Sequence, residues 1–364
     1  MKAKKILIGA LAALMCAFSL TACSNGGNSD SSDNAGDSSV VSTVGESTAN
    51  STGDSESSDT TSDNTSAPKP DKFRIAALKG PTAMGLVKLM DDNETNDYGY
   101  EFNIYAAPDE ITPLVAKGDI DIACVPANLC SVLYNKTEGK VQACAVNTLG
   151  VLYICENGET VKSVADLKGK TIYSAGKGST PEYALNFILK SNNVDPENDV
   201  TIEWKSEHTE CLQAMLTGEN CVAMLPQPFV TTAQTKNENV KVVLDLNKEW
   251  DNLNLDSVMI TGGAIVRKEF AEQYPEAVNE FLKRYFESVD YVNANVDEGA
   301  KLVDKYDIVP EAVAQKALPS CNIVCITGDE LKTKLSGYLK VLSDTDPAAV
   351  GGMLPGDDFY YNNK

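Results

Sequence analysis

Gly118-Asp119-Ile120-Asp121-Ile122-Ala123-Cys124-Val125-Pro126-Ala127-Asn128 is the stretch from which the rest of the chain is read. Ile120, Ile122, Ala123, Cys124 and Val125 form a short apolar run, the pattern of a strand buried on both faces. Pro126 ends it, because proline cannot extend a ladder. Asn128 is then placed to cap a helix through Leu129, Val132 and Leu133. In a parallel sheet, a strand that feeds a helix start leaves backbone N–H groups free at its carboxyl end. Open α/β sheets bind ligands there.

The pattern recurs around this stretch. Residues 74–78 lead into Lys79-Gly80-Pro81-Thr82, and 102–105 into Pro108-Asp109-Glu110. Residues 171–173 lead into Lys177-Gly178-Ser179-Thr180-Pro181, 201–204 into Glu207-His208-Thr209, and 222–225 into Pro226-Gln227-Pro228. These loops are expected to face one another across a cleft. A helix is expected over 82–90 and others over 109–116, 209–216 and 229–234. Ser179 or Thr180 should cap another, with Pro181 in its first turn. Residues 151–155 and 255–260 are candidate strands crossing between two lobes. The expected division is 73–155 and 259–364 for one lobe, with its long C-terminal helices, and 156–258 for the other.

The formal charge is −21. Residues 24–71 hold nine acids and one lysine, and the chain from Lys72 onward carries −16. An acidic body argues against nucleic acid and against adsorption to anionic lipid. Eight cysteines lie beyond the first 23 residues, mostly in apolar runs, and read as small buried side chains. Cys321/Cys325 and Cys211/Cys221 are the pairs to check for disulfides in an exported chain. With no Cys-x-x-Cys and one histidine, no metal site and no cofactor are expected.

Residues 1–23 read as an export signal: Lys2, Lys4 and Lys5, an apolar segment over 6–20, then Leu20-Thr21-Ala22-Cys23. The last four residues match the bacterial lipoprotein box. They imply cleavage before Cys23 and a diacylglyceryl, palmitate-type anchor on that cysteine. Twenty of the 43 residues in 24–66 are Ser or Thr, with almost no large apolar groups, so 24–72 is expected to act as a flexible acidic tether. A long tether on a lipidated cysteine suits the extracellular face of a cell membrane, as in Gram-positive bacteria.

Four pieces together resemble a substrate-binding lipoprotein of an ABC importer. They are Leu20-Thr21-Ala22-Cys23, Ala76-Ala77-Leu78-Lys79-Gly80-Pro81-Thr82, Gly118-Asp119-Ile120-Asp121-Ile122-Ala123, and Val164-Ala165-Asp166-Leu167-Lys168-Gly169-Lys170-Thr171-Ile172-Tyr173. The chain from Lys72 to Lys364 is similar to the nitrate, sulfonate and taurine group, which includes binders of the thiamine pyrimidine precursor. The resemblance implies a type II periplasmic-binding-protein-like α/β fold: two lobes joined by a two-strand hinge, closing as a monomer on a small solute for an ABC permease. Carried onto this chain, it implies ligand contacts from Lys79, Thr82, Asn128, Ser179, Thr180, Glu207, His208 and Gln227.

Helix starts and hydroxyls favour an anionic or carboxylate end. Glu207 and Asp109-Glu110 fit a purely anion-selective pocket poorly, which points to a zwitterion or a heterocycle. A sulfonate or nitrate binder is the alternative. A pyrimidine-forming enzyme of the thiamine pathway is another, since His208 with Glu207 and Cys211 can be drawn as catalytic. His208 and Cys211 are an i,i+3 pair with no third orienting group, so no catalytic residue is assigned. A scaffold protein would need no closed cleft, and the repeated strand–turn–cap loops argue against one.

Overall fold

A computed structural model describes residues 68–218 and 220–362. The expected export signal, Cys23 and the Ser/Thr-rich stretch lie outside the described residues. The chain opens with β1 (Phe73–Leu78), α1 (Pro81–Met84), α2 (Val87–Asn96), β2 (Tyr100–Tyr105), α3 (Pro108–Lys117), β3 (Ile122–Pro126), α4 (Ala127–Lys136) and β4 (Val141–Leu149). Then come β5 (Leu152–Asn157), β6 (Thr171–Ala175), α5 (Thr180–Ser191), β7 (Thr201–Lys205), α6 (His208–Thr217), β8 (Val222–Pro226), α7 (Phe229–Lys236), β9 (Val240–Asp245) and α8 (Leu246–Asp251). The last part is β10 (Ile260–Arg267), α9 (Lys268–Gln273), α10 (Pro275–Ala294), α11 (Val296–Lys305), α12 (Glu311–Ala317), β11 (Ile323–Ile326) and α13 (Gly328–Thr345).

Two sheets result. The first runs β11-β4-β10-β3-β1-β2, the second β7-β6-β8-β5-β9. In the first, β1 pairs in parallel with β2 and β3, while β10 runs antiparallel between β3 and β4. In the second, β6 is parallel to β7 and β8, and β5 is antiparallel to β8 and β9. Each parallel strand must return by a helix. The helix starts therefore gather at the carboxyl edge of each sheet.

The opposite edge of the first sheet is pinned by Asp121. Its buried carboxylate accepts from Arg74 Nη2 at 2.8 Å and Arg267 Nη2 at 2.9 Å. Burial alone would raise this carboxyl, but the two guanidiniums and the Arg74 backbone N–H hold it below its ordinary value.

Several expectations shift. The helix over 82–90 is two helices, because Ser288 Oγ on α10 donates to Gly85 O at 2.7 Å and accepts from Leu89 N–H at 3.0 Å. β3 does end at Pro126, which is still paired with Gly262, and α4 follows at once. Asn128 therefore sits inside α4, whose cap position is Pro126. Of the expected crossing strand 151–155, residues 152–155 pair within the second sheet as part of β5. The crossing falls at Gly150, where Asn322 Nδ2 donates to Gly150 O at 2.5 Å and Asn322 O accepts from Leu149 N–H at 3.1 Å. All eight described cysteines are free and buried, so neither Cys321/Cys325 nor Cys211/Cys221 is bridged.

The C-terminal helix α13, expected with the first lobe, packs on both: on β4 and α4 of one and on α5 of the other. Its buried Leu331, Leu335, Tyr338, Leu339 and Leu342 follow the 3.6-residue period. Tyr338 stacks at 5.4 Å on Trp250, which lies 4.8 Å from Phe187. Trp250 is thus fully buried in the core.

Candidate ligand-binding cleft

The helix starts of the two sheets enclose a cavity of about 830 Å³, its open mouth included. One wall comes from the loops after β1 (Lys79, Pro81, Thr82) and β2 (Ala106, Ala107, Pro108), with Pro126, Thr148 and Thr261 as its floor. The facing wall comes from the loops after β6 (Gly176, Ser179, Pro181), β7 (Ser206, Glu207, His208) and β8 (Pro226, Gln227, Phe229). The lining is largely proline, alanine and ring surface, with a few polar groups between. Such a mixture suits an organic ligand held by a small number of directed contacts.

Six of the residues expected at the site line this cavity: Lys79, Thr82, Ser179, Glu207, His208 and Gln227. Asn128 and Thr180 do not. Both are fully buried where the starts of α4 and α5 meet, and they are bonded to each other. Asn128 Nδ2 also donates to Ala349 O at 2.9 Å. These side chains join the two lobes through α4 and α5 and leave the cavity lining to their neighbours.

Several lining hydroxyls are locally committed. Thr82 Oγ1 donates to Leu78 O at 2.7 Å, Ser179 Oγ to Gly176 O at 2.7 Å, and Thr261 Oγ1 to Leu149 O at 2.5 Å. Ser179 holds the cap position of α5, but its hydroxyl turns back into the loop. Gln227 Oε1 accepts from Thr231 Oγ1 at 2.8 Å, which leaves the amide nitrogen for the cavity. Lys79 Nζ lies 3.5 Å from Asp307 Oδ2 within the same lobe. Lys177 is exposed and outside the lining.

His208 and Phe229 form a ring wall, with centroids 5.4 Å apart. The imidazole is half-buried, and its Nδ1 is screened from solvent without a partner among the described residues. Burial pushes its pKa down to about 4, so it is neutral at pH 7. Cys211, on the next turn, is buried in the core of the second lobe, with its thiol pushed up to about 12, chiefly by burial. It cannot supply a thiolate beside the imidazole. Sequence reasoning missed Phe229, Thr148 and Thr261 as lining residues. Phe229 had a signal: it opens the helix after Pro226-Gln227-Pro228, as His208 opens the one after Glu207.

Two lobes with ligand-sized space between their facing helix starts define a two-lobed binding protein. Residues 92–315 match the family described as ABC transporter, phosphonate, periplasmic substrate-binding protein, and the chain belongs to that family. That family is one of substrate-binding proteins of ABC transporters. An ABC transporter protein from Parabacteroides distasonis shares its fold, with a TM-score of 0.67 and 21% identity over 81% of this chain and 100% of that one. The periplasmic aliphatic sulphonate binding protein of Escherichia coli gives 0.65 and 16%, over 81% of this chain and 93% of that one. These likenesses identify the architecture as the type II periplasmic-binding-protein-like fold. A binding protein of Brucella abortus is 27% identical over 218 residues, 58% of this chain, and the match spans only 65% of that relative's length.

Proposed function

We propose that this protein is the solute-binding component of an ABC importer. It captures a small organic molecule in the interlobe cleft and hands it to a membrane permease. The observation that carries this reading is the convergence of loops from both sheets on one cavity that neither lobe closes alone. Enclosure by two walls removes water from each polar contact and strengthens it. Family membership supports the transport role. The ligand is a zwitterion or a heterocycle: ring surface at His208 and Phe229 offers a stacking face, and Glu207 offers a carboxylate. Lys79, Thr82, Ser179, His208 and Gln227 complete the contact set. The protein acts as a monomer, held by a lipid on Cys23 at the outer face of the cell membrane, in a Gram-positive setting.

The test is mass spectrometry of the small molecule that co-purifies with the protein, followed by calorimetry of wild type and Glu207→Gln with it. A ligand bearing N–H groups should lose about 1.5–3 kcal/mol of binding in the variant. Unchanged affinity refutes the Glu207 contact. A second reading, a sulfonate or nitrate binder, has the Escherichia coli sulphonate binding protein in its favour as a structural likeness. It predicts neutral or improved binding in the same variant.

A further inference from the structure

We propose that Thr148 contacts the ligand, donating its hydroxyl proton to the ligand's acid end from the cavity floor, and that Asn147 and Tyr285 behind it set the direction of that proton. This deepens the cleft reading and rests on it. β4 and β10 pair irregularly at the floor. Gly262 is opposite Thr148 and Gly263 is opposite Val146, so Asn147 is an extra residue in β4. On a regular strand, neighbouring side chains point to opposite faces. The bulge instead brings Thr148 Oγ1 within 3.2 Å of Asn147 Oδ1. A Cβ on Gly262 would collide with Asn147 Oδ1 and stand 3.0 Å from Thr148 Oγ1 and 2.8 Å from Thr82 Cγ2, so glycine leaves the room in which the three meet. Thr148 and Thr82 line the cavity, and Asn147 is fully buried beside them.

Thr148 differs from the other lining threonines in its partner. Thr82 Oγ1 and Thr261 Oγ1 donate to Leu78 O and Leu149 O. A carbonyl oxygen can only accept, so those two protons are fixed. The partner of Thr148 is a carboxamide, which accepts at one end and donates at the other. With Oδ1 on Thr148, the amide strands two buried atoms: Asn147 Nδ2 and the Tyr285 hydroxyl have no partner among the described residues. The two groups are neighbours, and the Cys124 thiol beside them is a weak partner. Turning the amide over gives both a bond. Tyr285 then donates to Oδ1, and Nδ2 donates to Thr148 Oγ1. Thr148 keeps its own proton, and the cavity is the side left open to it.

The chain Tyr285, Asn147, Thr148 then points three donors in one direction, and each bond polarises the next. It ends at the cavity on a demand for an acceptor, and a charged acid oxygen answers it with the strongest bond. Lys79 on one wall and Ser206 and Gln227 on the other line the same cavity and can supply donors to the remaining oxygens of an acid group.

Two measurements on the full-length protein in detergent test this. In nuclear magnetic resonance spectra, the Asn147 carboxamide protons should show Overhauser contacts to the Thr148 and Thr82 methyl groups. Contacts to the Tyr285 ring alone overturn the proposal. Calorimetry then uses phenylphosphonate, benzenesulfonate and benzoate, three acids on a ring that suits the wall of His208 and Phe229. At least one should bind. Thr148→Val should weaken it about tenfold, and Thr148→Ser should stay within about threefold of wild type. Tyr285→Phe should weaken the wild type but leave Thr148→Val unchanged, a coupling that a merely structural role would not produce. Wild-type affinity in Thr148→Val overturns the proposal, and if Phe229→Ala still weakens that probe, the cleft reading stands. If a probe binds and neither Phe229→Ala nor Gln227→Leu alters its affinity, the cleft reading falls and takes the proposal with it. Failure of all three acids to bind overturns the proposal and leaves the cleft reading to be judged on the molecule that co-purifies.

Discussion

Thr180 Oγ1 donates to Asn128 Oδ1 at 3.2 Å and accepts from the Asn128 backbone N–H at 3.3 Å, joining a helix of one lobe to a helix of the other. Both residues are fully buried. The pair sits behind the cavity, so the lobes meet at a polar contact that water cannot replace. Thr180→Val should cost about 1–3 kcal/mol in urea unfolding, because it strands the Asn128 groups. Thr180→Ser keeps the hydroxyl and should stay nearer to wild type. Wild-type stability of Thr180→Val would show that the hydroxyl pair contributes nothing.

The single histidine makes the cleft readable by nuclear magnetic resonance. The His208 ring signals should titrate near 4, below the ordinary 6.5. The sign follows from which state holds the proton. Between these values the unfolded chain is protonated while the folded ring is not, so stability falls as pH drops from 6.5 toward 4. His208→Gln should flatten that part of the stability profile. A ring midpoint at 6.5 or above would show the imidazole to be open to water.

Gly262 packs under the cavity floor. A methyl there would lie 2.4 Å from Asn147 Oδ1 and 2.8 Å from Thr82 Cγ2. Asn147 is fully buried and has little room to retreat. Gly262→Ala should therefore cost about 1–3 kcal/mol and displace Thr82, weakening the ligand as well. Denaturation and calorimetry on one preparation check both effects. Wild-type values in both would mean that the sheet opens freely at this point.

Cys23 carries the proposal of a membrane anchor. Cys23→Ala should abolish incorporation of labelled fatty acid and either release the protein into the medium or leave the signal uncleaved. Normal labelling of the variant would remove the basis for the anchor.

Much of the cleft is legible before any coordinates. Six strand-to-helix junctions each announce themselves by an apolar run, a proline or glycine and a polar residue at a helix start, and those signals span only a few residues. Glu207, His208 and Gln227 follow from them directly. The misreadings have one cause. Asn128 and Thr180 carry the same local signature as a cap, and local signature does not say which way a helix start faces. Residues 151–155 likewise read as a strand, but which sheet claims a strand depends on partners dozens of residues away, here Pro226 to Val222.

The order of residues alone determined the alternation of strands and helices, the acidic balance and the positions of the βα loops, because periodicity and turn chemistry act over short stretches. Tertiary structure decided the rest. Only packing brings Phe229 within 5.4 Å of His208, lays α13 across both lobes, and turns the hydroxyls of Thr82, Ser179 and Thr261 onto carbonyls. Ring contacts, burial and the direction of a hydroxyl proton are set by neighbours in space. The polarity of the cleft therefore cannot be read from the residue types that line it.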